Sequence, residues 1–318
     1  MQRSIELKAR KKEALLRSSS LIPQLRKHAA LYLLLLPAIL GLLIFKYVPS
    51  IGAITIPFTR YSIVDGFFGS EWVGLKWFIQ FMQSPFFPRL LKNTFLLGLY
   101  SLVFGFPAPI LLALLLNEIH NRPFKTIAQS ITYLPHFVSV VIIVGMLYSF
   151  FGHDGYVNRI LGALGIGAVD FVNDPQWFRP LYVVSGVWQS MGWGSIVFLA
   201  SLASINPELY EASYLDGANR VQRAIHVTLP GLAPTITILL ILNVGQLINV
   251  GFEKVFLMSN PGIYSVADVF STYVYRRGIL GLDYSFAAAV GLFNAVLALA
   301  LVIATNYISR KVSENSLW

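Results

Sequence analysis

Cysteine is absent from the 318 residues, which excludes a disulfide framework, thiol chemistry and any cysteine-ligated metal site. Charge is scarce as well. Only 12% of the chain is Asp, Glu, Lys or Arg, against roughly 25% in soluble domains. The histidines His28, His120, His136, His153 and His226 are scattered one to a region. No His-Glu-x-x-His, no Gly-x-Ser-x-Gly and no carboxylate pair at helical spacing within an apolar run occurs. A Gly-x-x-x-x-Gly-Lys-Ser/Thr phosphate loop is missing too, so this chain cannot itself cradle ATP phosphates. Those absences leave little for an enzyme, and no internal repeat is visible at periods of about 20–50 residues.

Apolar residues fill the space that charge leaves. They make up 56% of the chain, with a mean hydropathy of +0.65. Largely uncharged stretches recur near residues 29–57, 94–116, 127–151, 181–202, 232–252 and 286–308, each close to the ~20 residues that span a bilayer as a helix. Open strands cannot cross because their backbone groups would go unsatisfied. The expected fold is therefore an all-α membrane protein with six transmembrane helices.

The net charge of +9 does not mark a nucleic-acid binder, because the cations sort by membrane side. Residues 1–28 form a basic arm carrying Arg3, Lys8, Arg10, Lys11, Lys12, Arg17, Arg26 and Lys27. The apolar run behind it is too long, and lacks the small-x-small site, for a cleaved signal peptide. The arm itself reads either as a surface helix around Leu15 and Leu16 or as a disordered tail. With the arm inside, fourteen Lys/Arg face the cytoplasm and nine face out, which puts both termini on the cytoplasmic side of the membrane. That orientation rests on the arm; without it the count is six against nine. The outer side balances its nine cations with eight acids, so the count gives no lean towards an anionic ligand. Residues 58–92 are rich in aromatics, including Trp72, Trp77, Phe81, Phe86 and Phe87. They form either an interfacial anchor or a docking surface.

Within the spans, Pro107, Pro109 and Pro135 predict kinks, and His136 is either a packing histidine or a proton relay. Asn243, Gln246, Asn249 and Glu253 recur at spacings that share one helix face. They serve either as interhelical glue or as the lining of a polar path. Gln189 between Trp188 and Trp193 joins amide to aromatic ring. Ring faces stack on sugar C–H groups and amides bond sugar hydroxyls, so this set suits a carbohydrate, although tryptophans also simply pack.

The long polar passage 204–231 sits on the inner side. Asn206 followed by Pro207 is a helix start, a short helix follows over 208–215, and Gly217 supplies its stop. A second short helix places Val221, Ala224, Ile225 and Thr228 on one face, and Leu229-Pro230 is expected to end it before the fifth span. Small residues Ala212, Ser213 and Gly217 allow close backbone approach, while Glu211 and Asp216 provide charge. The shape is that of a docking knob, or else of a plain amphipathic loop.

Glu211-Ala212-Ser213, three residues, Gly217, nine residues, then Val227-x-Leu229-Pro230 resembles the EAA loop of ABC importer permeases. Only Ser213 and Val227 depart from that pattern. Asn93-Thr94, Phe104-Gly-Phe-Pro-Ala-Pro109, Leu116-Asn-Glu118, Tyr133-Leu-Pro-His136, Asn206-Pro-Glu-Leu-Tyr-Glu211 and Thr272-Tyr-Val-Tyr275 are similar to the oligosaccharide-importing, lipoprotein-linked branch, over roughly residues 25–318. The resemblance implies a type I ABC importer-like permease paired with a second, homologous permease subunit. It also implies an ATPase dimer, which carries ATP and magnesium, and an extracytoplasmic solute-binding protein that delivers an oligosaccharide. Glu211, Ala212, Ser213, Asp216 and Gly217 would then form the ATPase-coupling site. No motif defines the substrate path, so Asn243, Gln246, Asn249, Trp188, Gln189 and Trp193 are candidates on helical phase and residue type alone. The competing readings are a secondary sugar transporter or channel, which would need intramembrane acids as coupling groups, and a membrane scaffold whose polar stripe is packed and dry.

Overall fold

In the computed structural model, residues 28–312 are described, so the basic arm, save His28, and the last six residues lie outside them. The chain runs α1 (Ala29–Phe58), α2 (Lys76–Met82), α3 (Phe87–Asn117), α4 (Arg122–Tyr133), α5 (Val140–Ala163, bent at 152–155), α6 (Pro175–Leu202), α7 (Pro207–Leu215), α8 (Arg220–Gly245), α9 (Phe252–Met258), α10 (Phe270–Val274) and α11 (Tyr284–Lys311). Between α1 and α2, strands β1 (Thr59–Arg60) and β2 (Glu71–Trp72) pair antiparallel. Among the described residues, α1, α3, α5, α6, α8 and α11 are each long and apolar enough to cross a membrane.

The prolines act by two different devices. Pro135 ends α4 outright. A 3-10 turn over Leu134–Phe137 follows, Val138 is extended, and Ser139 caps α5 by accepting from Ile142 N. The stretch 127–151, expected as one span, is therefore two helices around a break. Pro230 does the reverse of what its position suggests. The backbone widens into a π-turn over Ala224–Thr228, Leu229 N donates to Ala224 O, and the helix continues. A proline ring clashes with the carbonyl four residues back, and the wider turn relieves that clash. The same device recurs in α1, where a π-turn over Leu43–Tyr47 precedes Pro49. The expected second short helix of the loop is thus the first turns of α8.

The expected fifth span also departs from expectation. The helix stops at Gly245 and Gln246 is its C-cap. Residues 246–251 turn before α9 begins. Asn243, Gln246, Asn249 and Glu253 consequently do not form a stripe on one helix.

Three buried clusters hold the bundle. Ile110, Ala113, Phe198, Leu202 and Leu232 join α3, α6 and α8 near α7. Leu97, Val144, Phe178, Val255 and Met258 join α3, α5, α6 and α9. Phe81, Leu90, Phe270 and Phe286 form an aromatic-rich cluster at the far end. Phe81 meets Phe87, Phe270, Phe286 and Phe293 edge-on, with ring centroids 5.2–6.0 Å apart, the geometry that aligns ring edge and face charges. Part of the aromatic stretch 58–92 is therefore core, whereas Trp72 stays exposed.

A polar clamp pins the segment before α10. Asp268 is fully buried and its two carboxylate oxygens receive Arg89 at 2.9 Å and Arg276. The Asn93 amide donates to the carbonyls of Ser265 and Asp268, and the Thr94 hydroxyl accepts from Phe270 N. A buried carboxylate persists only when paired in this way.

Candidate functional site

Two regions carry polar or exposed groups that the bundle does not consume, and α8 joins them. The first is the corner between α7 and α8. The Asn206 side chain accepts from Glu208 N to start α7. At its other end Ala218 N donates to Ser213 O and Gly217 N to Tyr214 O, the paired bonds of a Schellman stop. Gly217 holds φ +74°, a left-handed conformation that glycine adopts without a Cβ penalty. Asn219 then opens α8 with a capping box, its Oδ1 accepting from Gln222 N and the Gln222 Oε1 accepting from Asn219 N. The Asn-x-x-Gln spacing is the sequence signal for that start.

Packing fixes the corner to the bundle while leaving its tip bare. The Tyr210 hydroxyl donates to the Thr228 hydroxyl at 3.2 Å, Arg223 lies over the Tyr214 ring, and Arg220 reaches Glu118. Leu215 nevertheless remains 86% exposed and Tyr214 72% exposed. Glu211, Ala212, Asp216 and Gly217 are exposed too, with Ser213 half-buried. A hollow of about 490 Å³ runs between α7 and α8, lined by Ala212, Ser213, Asp216, Gly217 and Arg223 among others. The structure brings all five candidate coupling residues to this one knob.

The second region is a group of hollows beside α6. One, of about 620 Å³, is lined by Ser101, Tyr182, Gly186, Gln189, Ser190, Glu253 and Lys254 among others. A smaller one of about 150 Å³ shares Ser101, Tyr182 and Gly251 with it and adds Asn243, Gln246 and Asn249. A third, of about 760 Å³, holds Tyr100, Gln176, Arg179 and Trp188.

The amide candidates therefore meet by tertiary folding, because the break after Gly245 turns them together. Asn249 Nδ2 donates to Gln246 Oε1 at 3.2 Å, and Asn294 Nδ2 on α11 donates to Asn249 Oδ1 at 3.1 Å. Asn243 donates back to its own helix at Leu239 O. Gln189 donates to Val138 O at the α4–α5 break. Trp193 lines none of these three hollows and stacks on His136, centroids 4.7 Å apart and rings 3° from parallel. Two close backbone approaches set this geometry. Gly192 of α6 lies against the Thr132 carbonyl, and Gly98 of α3 against that of Leu247, where an added Cβ would stand 1.8 Å from either oxygen.

The sequence reading overlooked Tyr182 and Arg179 on α6 and placed Lys254 in an external loop. Lys254 is 8% exposed. Its Nζ donates to Tyr182 O at 2.9 Å and lies 4.8 Å from the centre of the Tyr182 ring. Among the described residues, no cluster of His, Asp or Glu has the makings of a metal site.

Residues 105–314 match the family described as binding-protein-dependent transport system inner membrane component. The chain is similar to protein LplB of Bacillus subtilis (strain 168), 46% identical over 92% of both chains. It is also similar to the polygalacturonan/rhamnogalacturonan transport system permease protein YteP of the same organism, 41% identical over 94% of this chain and 93% of the relative. Among solved structures it resembles a chain of a bacterial alginate ABC transporter in complex with an alginate pentasaccharide-bound periplasmic protein. The TM-score there is 0.86 at 42% identity, covering 93% of this chain and 99% of the other.

Proposed function

Since the chain belongs to the family of binding-protein-dependent transport system inner membrane components, as a permease subunit of a sugar-importing ABC transporter, we propose that it passes oligosaccharides along the hollows beside α6 and receives the driving stroke at the α7 corner. It is a multi-pass membrane protein. One relative is named for polygalacturonan and rhamnogalacturonan transport and another carries alginate, which supports oligosaccharide chains as the cargo.

The observation that carries the coupling proposal is the continuity of α8. It runs unbroken for 26 residues from the corner at Arg220 to Gly245, about 39 Å at 1.5 Å per residue. One end is tied to α7 through Tyr210 and Thr228. The other end carries Asn243 and passes directly into the turn that holds Gln246 and Asn249. A displacement of the knob therefore reaches the amide cluster along one continuous helix.

Leu215 and Tyr214 are the groups an ATPase groove would cover, and Glu211 and Asp216 are the charges it would meet. ATP and magnesium sit on that ATPase dimer, and this chain performs no hydrolysis of its own. A second, homologous permease subunit closes the hollows and covers the exposed apolar length of α1. A solute-binding protein docks at the end opposite α7, and both termini lie in the cytoplasm.

The chain's lack of cysteine makes a clean test. A single Ala212→Cys should cross-link in membrane vesicles to a cysteine placed in the groove of the ATPase, with a yield that changes when ATP is added. No cross-link at any groove position would overturn the coupling proposal.

A further inference from the structure

The total charge of the side opposite the coupling loop hides how its charges are paired. Asp268 is taken by Arg89 and Arg276, Glu71 by Arg60, and Asp283 by Arg277. Lys254 is left without a carboxylate among the described ion pairs, although it is buried. A lysine ammonium has three N–H donors, and among the described residues one of them has a protein acceptor, the Tyr182 carbonyl. The Tyr182 ring face contributes further attraction. Neither neutralises a charge withdrawn from water, and an unpaired buried cation is costly.

Gly186 of α6 lies beside that ammonium, where an added Cβ would stand at ordinary contact distance, 3.4 Å from Lys254 Nζ. The hollow that Lys254 lines also holds Ser101, Gln189 and Ser190, and it adjoins the Gln246–Asn249 pair. These groups suit the hydroxyls of a sugar and not its charge. Glu253 is the carboxylate that lines the same hollow. It is exposed and makes no ion pair with Lys254 among the described residues.

We propose that the 620 Å³ hollow is a binding site for anionic oligosaccharides, in which Lys254 pairs with a sugar carboxylate while the neighbouring amides and hydroxyls hold the ring. The proposal rests on reading the chain as an oligosaccharide permease and adds the charge class of the cargo. Arg179 lines the adjoining hollow, also without a carboxylate partner among the described ion pairs and with a buried Nε that makes no hydrogen bond. A chain of several uronate rings would meet a second cation there.

The experiment uses the complete importer in proteoliposomes and two probes, trigalacturonate and its carboxyl-reduced neutral counterpart. Lys254→Met should lower uptake of trigalacturonate about tenfold or more, the scale of a lost charge-assisted hydrogen bond, and lower uptake of the neutral trisaccharide far less. Lys254→Arg should keep most of the acidic uptake. In the wild-type complex, trigalacturonate but not the neutral sugar should protect Lys254 from reductive methylation, read by mass spectrometry; this measurement does not depend on the variant folding. If Lys254→Met lowers uptake of both sugars equally, the lysine pairs with a carboxylate of the second subunit and the proposal is wrong. If the wild type carries the neutral sugar alone, or protection is the same for both, the charge class is wrong while the permease reading stands. If it carries neither sugar, uronate chains are not the cargo and the proposal is wrong.

Discussion

Gly98 on α3 faces the carbonyl of Leu247 so closely that a methyl group on the glycine would lie 1.8 Å from the oxygen. This contact seats the turn after α8 against α3 and thereby gathers Gln246 and Asn249 at the hollow. Gly98→Ala should force the two elements apart, at a cost of about 1–3 kcal/mol for an overpacked contact. The purified complex should melt at a lower temperature and take up sugar poorly. Gly145→Ala, on α5, which meets nothing within 4 Å, should leave both unchanged. Equal behaviour of the two variants would count against the contact.

The amide cluster should act mainly on affinity, because the Gly98 contact still seats the turn when one amide is lost. Asn249→Ala takes from the hollow an amide that would bond a sugar hydroxyl, a net contribution of about 1 kcal/mol. The transport constant should rise roughly fivefold while the amount of assembled complex stays level. Uptake curves that superimpose on the wild type would exclude these groups from the path.

Asp268 makes the opposite prediction. Its carboxylate is buried between two arginines, so Asp268→Asn leaves two cations without their counter-charge. Removing one member of a buried pair costs about 3 kcal/mol or more, and both arginines are partly exposed, which trims that figure. A clear drop in the thermal unfolding midpoint of the detergent-solubilised complex is expected. An unchanged midpoint would mean that the clamp does not hold α10.

How much of this the sequence disclosed depends on the range of the forces involved. The α7 corner was legible because local signals make it: Asn206 before Pro207 starts a helix, and Gly217 at φ +74° stops one. Helix caps act within a few residues, so reading along the chain finds them. The break after Gly245 was not legible in the same way. No proline lies in 243–251, and hydropathy reads through the stretch. Contacts with Gly98 and Asn294, far away in sequence, hold the turn. Gly245 and Gly251 bracket it and were the one local hint. Pro230 misled for another reason, since a π-turn absorbs its missing donor. Lys254 read as an external cation because the residue that buries it, Tyr182, is 72 positions away.

The central claim is that the α7 corner receives the ATPase stroke, and Gly217→Asp tests it most directly. Aspartate visits the left-handed region more readily than most residues, so the corner should keep its fold while gaining a charge at the docking face. The account predicts that the variant inserts into membranes at wild-type levels, that the ATPase no longer co-purifies with it, and that ATP-dependent uptake falls to background. Retention of both ATPase association and uptake in the variant would contradict it.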